Sequence, residues 1–493
     1  MPFLQYLSLI TLLSLALGGS YTAWAEADVL IIENVKIVSV NGVSKPTDVV
    51  IEGSTIIGVG SAKHPPGRRD SVQVIDGRGQ YLAPGLIDSH VHLLGVPGES
   101  DALPAKVRDQ ALAQIPKSYL YFGFTTVLDL ISTDELMAQW NRQPLAPTAY
   151  HCVGTPIPGG YPMAWLAPEE QLTSPVAEYY LYDENQPDLM AVTPGSDQHK
   201  PKALVERIAN TKARCIKTFY EKGFGRLRNL PVPSPDSMKA LIREAHKHQL
   251  PVFLHGNSRE SYEFALEVGV DMLAHGPWHG VSVSDISALR ALANSIAQAG
   301  IGVQPTIQVI SGERELFSAN FFEQALVKAA MPQALRQWYQ SEAGQWFVED
   351  MSHGFGGPDS PHLHDTVNAV MAEPIAGVQT FTRVFSEAGG DLIFGSDTPS
   401  GPVYTQFPGL NGYQEIQHWV GQGIAPTHIF AALTVRNAEL LGLTNTLGTV
   451  TEGKRADLLL MADNPLESVE AYNSIEWVVV KGVAIKRAQL AAH

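Results

Sequence analysis

The chain has 493 residues, 45% of them hydrophobic and 17% charged, with a formal net charge of −16. That length exceeds one ordinary small domain, and that composition supports a large buried core and excludes wholesale disorder. The acidic balance disfavours nucleic acid as a partner, because phosphates repel such a surface. Cys152 and Cys215 are the only cysteines, which excludes a disulfide framework and a Cys-rich zinc site; any metal must be held by His, Asp, Glu or a modified side chain.

The first segment, MPFLQYLSLITLLSLALGGSYTAWAEA, has an apolar run from Leu7 to Leu17 followed by Ala23-Trp24-Ala25. The run is shorter than the roughly 20 residues a spanning helix needs. It fits a signal peptide over residues 1–25, cleaved before Glu26, although no Lys or Arg precedes it. The expectation is export to a periplasmic or extracellular compartment, with no stable membrane anchor after cleavage.

Residues 26–80 read as short strands between turns, and residues 446–493 repeat that texture, so both ends are expected to build one small β-domain. Between them, over 81–445, eight apolar runs alternate with helical patterns: LAPGLIDSHVH, FTTVLDL, TAYHCVG, CIKTFYE, PVFLHG, DMLAHG, IGVQPTI and DLIFGSD. The helix PSPDSMKALIREAHKH can be capped by Ser234 or Asp236. The pattern predicts an α/β protein, a (β/α)8 barrel with a small β-domain attached. Two long connections, 155–200 and 308–378, leave the C-terminal ends of the third and seventh strands and are expected to be substrate-shaping lids.

Several of those strands end in a metal-ligand type. His90 and His92 share a face of the first strand, since side chains alternate; alone, this is either a metal pair or two hydrogen-bonded polar residues. VFLHG ends in His255, MLAHG in His275 and LIFGSD in Asp397. Four imidazoles and a carboxylate at four strand ends would meet on the barrel axis, and that donor set suits zinc and similar divalent ions. Lys217, inside the fourth strand, costs several kcal/mol unless paired. It either leaves the barrel, pairs with a carboxylate such as Asp129, or takes up CO2 as a carbamate that bridges two cations.

PGLIDSHVH, CIKTFYE, FLHG, LAHG and FGSD, in this order, with the closing ALTVRNAELLGLTNTLGTVTEGKRADLLLM, resemble the metal-dependent amidohydrolase superfamily over nearly all of residues 28–490. The resemblance implies a distorted (β/α)8 TIM barrel with a β-sandwich formed by both ends. By resemblance to the binuclear members, His90, His92 and Asp397 would hold a buried ion, and His255 and His275 an exposed one. Carboxylated Lys217 and a hydroxide would bridge two divalent ions, zinc by ligand type. Asp397 would shuttle the proton, and the His275-bound ion would polarise the substrate carbonyl. Asp88 is expected to make a structural hydrogen bond.

The implied reaction is hydrolysis of a C–N bond in an amide, cyclic amide or dipeptide, as in the imidazolonepropionase-like and Xaa-Pro dipeptidase-like branch. Gly256, Asn257 and Ser258 after His255 count against deamination. Hydrolysis of a lactone, ester or phosphoryl substrate on the same site stands as the alternative, and a catalytically inactive ligand-binding barrel as a second. The loop YEKGFGRLRN places Tyr220, Lys222, Arg226 and Arg228 near the mouth, either as a grip on a substrate carboxylate or as a solvated loop. Tyr220 either bonds the carbonyl oxygen or fills the core. His279 is a candidate substrate contact, and Gln304 or Thr306 can face the substrate. His353, His362 and His364 read as lid or surface residues, and His246 and His248 as solvated. The expected partner is a small amide or peptide, and a homo-oligomer is compatible with the sequence.

Overall fold

The computed structural model describes residues 29–60, 72–93, 95–190, 196–225 and 227–493. The expected signal peptide and Arg226 lie outside the described residues. Among the described residues no helix is long and apolar enough to cross a membrane.

Both chain ends build one nine-stranded sheet. Its strands include Val29–Ser39, Thr47–Glu52, Thr55–Gly60, Val72–Asp76 and Tyr81–Pro84 from the front, and Leu458–Met461, Ile475–Val480 and Val483–Lys486 from the back. The two contributions meet where Tyr81–Pro84 pairs antiparallel with Leu458–Met461. Leu30, Ile32, Val49, Ile51, Leu458 and Leu460 lie in one buried cluster, the alternating inward set that period-2 strands provide.

Seven parallel strands follow in chain order around the barrel: Leu86–Val91, Phe124–Asp129, Thr148–Gly154, Cys215–Phe219, Val252–His255, Met272–Ala274 and Gly302–Gln304. The eighth expected strand, 391–397, is irregular. It joins its neighbours through the single bridges Val303↔Leu392 and Val91↔Thr398. The Asp397 N–H donates to the His90 carbonyl at 2.7 Å and the Ser89 N–H to the Phe394 carbonyl at 3.2 Å. Gly395 explains part of this irregularity, because a Cβ there would stand 2.6 Å from the His90 Cβ. The result is a distorted (β/α)8 barrel with one loosely laddered seam.

Ile87, Leu128, Cys152, Cys215, Phe253, Met272 and Ile393, one from each of seven barrel segments, share a buried cluster. They form an apolar layer inside the barrel, as packed barrel interiors require. Cys152 and Cys215 stand opposite each other in register, and with Cα atoms 4.5 Å apart they form a disulfide. No framework exists, yet strand pairing brings the only two thiols together across 63 residues of sequence.

The helix Pro235–Lys247 starts as expected, with the Ser234 side chain accepting from the Ser237 N–H. The connection over 308–378 differs from an extended lid. It is largely helical, including Ile307–Glu315, Gln333–Tyr339, Trp346–Ser352 and the start of Leu363–Glu387. Leu335, Tyr339, Val367 and Met371 bury themselves in the main core, so most of this segment is scaffold.

Candidate metal centre

His90 is the penultimate residue of the first barrel strand, Leu86–Val91, and His92 follows that strand. Their Nε2 atoms both approach one oxygen, Asp397 Oδ1, at 3.0 and 3.1 Å. Among the described residues this is the only group of three His, Cys, Asp or Glu residues whose ligand atoms lie within 4.8 Å of one another. The His275 ring lies 5.1 Å from His90, and the His255 ring 4.6 Å from His275. His275 Nδ1 stands 3.8 Å from Asp397 Oδ2. The four imidazoles and the carboxylate therefore meet at the C-terminal mouth of the barrel.

Backbone conformation builds part of this convergence. Met272 and Ala274 belong to the interior layer, so strict alternation would turn the next residue, His275, outward. A positive φ of 92° swings it back toward the axis, and Asp397 (φ 55°) and Thr306 (φ 47°) are also left-handed. Such backbone costs of order 1–3 kcal/mol per residue and persists where the surroundings over-determine it.

The electrostatics favour a cation. Burial pushes the Asp397 carboxyl up, but His90, His92 and His275 outweigh it and hold it well below the usual carboxylate range. Burial lowers His90 to about 3. Burial opposes protonation of His92 as well, but the carboxylates of Asp129 and Asp397 raise it to about 9, so positive charge is welcome at that point. Burial lowers the Lys217 amine to about 7, against the pull of Asp397. Lys217 is 2% exposed and interacts with Asp397, His90, His255 and His275. It does not pair with Asp129, whose oxygens accept from the Leu93 and Ile131 N–H groups at 2.9 and 3.0 Å.

The residues fit divalent ions on one further count. Both nitrogens of His90, Asp397 Oδ1, Lys217 Nζ, Glu221 Oε2 and His255 Nε2 are buried, with no aligned hydrogen-bond partner among the described residues. Buried polar atoms are rarely left so, and here they share one pocket. A surrounding shell fixes the set. Asp129 Oδ1 lies 3.7 Å from His92 Nδ1, and the Thr306 hydroxyl lies 2.9 Å from His275 Nδ1; such partners orient metal-ligating imidazoles. Asp88 is structural, as expected. It accepts from the His90 and Ser396 N–H groups at 3.2 and 3.0 Å and from the Ser396 hydroxyl at 2.5 Å. Gln304 is structural too, its amide donating to the Ser89 hydroxyl at 2.7 Å across the barrel seam.

A model of the amidohydrolase family matches residues 377–485, which carry Asp397 and the returning strands. Adenine deaminase 2 of Agrobacterium fabrum is 44% identical over 66 residues, 13% of this chain and 11% of that protein. The matched part thus spans about a tenth of that relative's length. The fold is that of a Xaa-Pro dipeptidase solved with bound methionine, at TM-score 0.62 and 19% identity over 93% of this chain and all of that one. It is also that of A. niger ochratoxinase, at TM-score 0.59 and 20% identity over 94% and 96% of the two chains. Residues 377–485 thus match the amidohydrolase family, and nearly the whole chain shares the fold of these solved structures.

At the mouth of this barrel, the expected substrate contacts divide. Tyr220 is a correction. Its ring packs at 4.3 Å on Phe264 of the helix Arg259–Val268, and its hydroxyl donates to Glu260 at 3.1 Å. It therefore faces the outer helical layer, where Lys222 also pairs with Glu260. Arg228 is exposed, and its guanidinium bonds the loop's own Leu227 carbonyl at 3.1 Å. His279 stacks on Trp278 at 3.8 Å and lies in the field of Glu221 and Arg228, at the mouth. His246 pairs with Asp271 at 3.0 Å on the surface, and His353, His362 and His364 are exposed.

Three residues at the mouth escaped the sequence reading. Tyr161, from the third connection, stacks on His255 with ring centroids 4.3 Å apart and interacts with Asp397, Glu221 and Glu313. Glu313, on the helix Ile307–Glu315, is pushed up to about 7 by burial and by Asp397. Glu221 sits 3.7 Å from His255. Only Glu221 carried a readable signal, because it shares strand parity with Lys217 and Phe219.

Proposed function

We propose that the chain is an exported, metal-dependent hydrolase that cleaves a C–N bond in a small amide, cyclic amide or dipeptide. The carrying observation is that the Nε2 atoms of His90 and His92 converge on Asp397 Oδ1 at 3.0 and 3.1 Å, beside a buried amine and two further imidazoles. His90, His92 and Asp397 would hold one divalent ion and His255 and His275 a second. Lys217, as its carbamate, would lie between them; imidazole and carboxylate donors suit zinc. The chemistry supplied at these residues, were the ions bound, would be a nucleophilic water near neutral pH and a Lewis acid for the carbonyl.

The chain's own groups do the rest. Asp397, held ionised, takes a proton from water and returns it to the leaving nitrogen. The Tyr161 ring, stacked on His255, closes one wall beside Asp397. Thr306 and Asp129 keep His275 and His92 oriented. The names of the similar proteins, a dipeptidase and a deaminase among them, support C–N chemistry. Purified protein is expected to hydrolyse members of a panel of dipeptides, N-acyl amino acids and cyclic amides. Chelation should lower that activity about 100-fold or more, and added zinc should restore it. Turnover of esters or lactones with none of the C–N substrates would overturn this reading in favour of the alternative.

Export is supported by the N-terminal apolar run and by the Cys152–Cys215 bridge, since disulfides persist in oxidising compartments. Mass spectrometry of protein taken from its own cells is expected to find the bridge intact and the chain beginning at Glu26. An intact Met1 with two free thiols would place the protein in a reducing compartment instead.

A further inference from the structure

The outer pair, His255 and His275, lacks a permanent anionic donor. Two neutral imidazoles alone are a weak set for a divalent ion, and protein zinc sites use three or four donors. Lys217 offers an anion only after it has taken up CO2. Glu221 is already there. It lies two residues beyond Phe219, the last residue of the fourth barrel strand, and is 6% exposed. One oxygen is fixed, with Oε1 accepting from the Gly223 N–H at 2.6 Å. The other, Oε2, has no aligned hydrogen-bond partner among the described residues, and neither has His255 Nε2; His255 and the Asn257 side chain nearby help to hold the carboxyl ionised. Glu221 Oε2 and His255 Nε2 face each other at 3.7 Å. That separation is long for a hydrogen bond. It is close to the spacing of neighbouring donors around one ion, because bonds of about 2.1 Å at tetrahedral angles put donors roughly 3.4 Å apart.

We propose that the Glu221 carboxylate is a ligand of the outer cation, completing a set with His255 and His275 that does not depend on carboxylation of Lys217. The proposal rests on the two-ion reading above. It assigns the fourth-strand end two separate anionic contributions: a fixed one from Glu221 to the outer ion, and a CO2-dependent one from Lys217 between the ions. The inner set of His90, His92 and Asp397 is untouched by it.

Equilibrium dialysis against zinc, with metal counted per chain by plasma mass spectrometry, tests it. Wild type and E221Q are prepared with bicarbonate and under CO2-free conditions. The expected result is two zinc ions per wild-type chain in both preparations. E221Q should keep one ion at unchanged affinity and bind the second at least tenfold more weakly in both. Circular dichroism confirms folding, and E221D, which keeps the charge on a shorter arm, should recover part of the second-ion affinity. E221Q that binds two ions as tightly as wild type overturns the ligand assignment and leaves the two-ion reading standing. Wild type that binds fewer than two ions even with bicarbonate overturns the two-ion reading itself. Wild type that loses its second ion only when CO2 is withheld shows that Lys217 alone supplies the outer anion, and overturns the proposal.

Discussion

Asp397→Asn should lower kcat/KM by about 1,000-fold or more and reduce bound metal, with the fold intact. The magnitude follows from two losses at one atom. A positioned proton carrier contributes about 10²–10⁴-fold. The same oxygen is the point where His90 and His92 converge at 3.0 and 3.1 Å, so its charge is also what makes the inner set a cation site. Asn keeps the shape, and the Asp397 N–H bond to His90 is a backbone contact that survives. The barrel should therefore still close, which melting and circular dichroism would confirm. Activity within tenfold of wild type, at full metal content, would remove Asp397 from the chemistry.

Lys217→Met separates function from stability. The amine is 2% exposed and has no hydrogen-bond partner among the described residues, so a thioether of similar length fills the space without the cost of burying a cation. Burial lowers the folded-state amine to about 7 from its ordinary 10.5. Between those values the unfolded chain binds a proton that the folded chain does not, so the stability of metal-free wild type rises with pH across that window. The Met variant lacks this slope. Its advantage should be largest at and below pH 7 and vanish near the upper end. Activity should move the other way, falling about 100-fold or more, because Met cannot carry the carbamate proposed for Lys217. Denaturant melts at several pH values with parallel kinetics read both. A variant that is less stable than wild type at pH 6, or that keeps its activity, contradicts this account.

The barrel was legible because its strands carry a simple code: an apolar run closed by one polar residue. His255, His275 and Asp397 each end such a run, and the structure gathers them with His90 and His92. Legibility failed where side-chain chemistry and strand alternation pointed different ways, and where more than alternation set a side chain's direction. Tyr220 suggested a substrate contact by its chemistry, yet alternation from Lys217 sends Tyr220 outward and Glu221 inward. His275 carries the opposite lesson, because a left-handed φ of 92° overrides alternation. Tyr161 and Glu313 lie on connections whose course is set by packing against distant parts of the chain. The Cys152–Cys215 bridge needed the register of the third and fourth strands, which two cysteines 63 residues apart do not disclose.

The shared sheet has a consequence for how the molecule is made. Tyr81–Pro84 finds its antiparallel neighbour only in Leu458–Met461, so during synthesis that edge stays bare until almost the whole polypeptide has emerged. A bare edge invites pairing with other chains. Premature termination anywhere in the barrel should therefore yield insoluble fragments, and the last strands act as a seal that only a finished chain can apply.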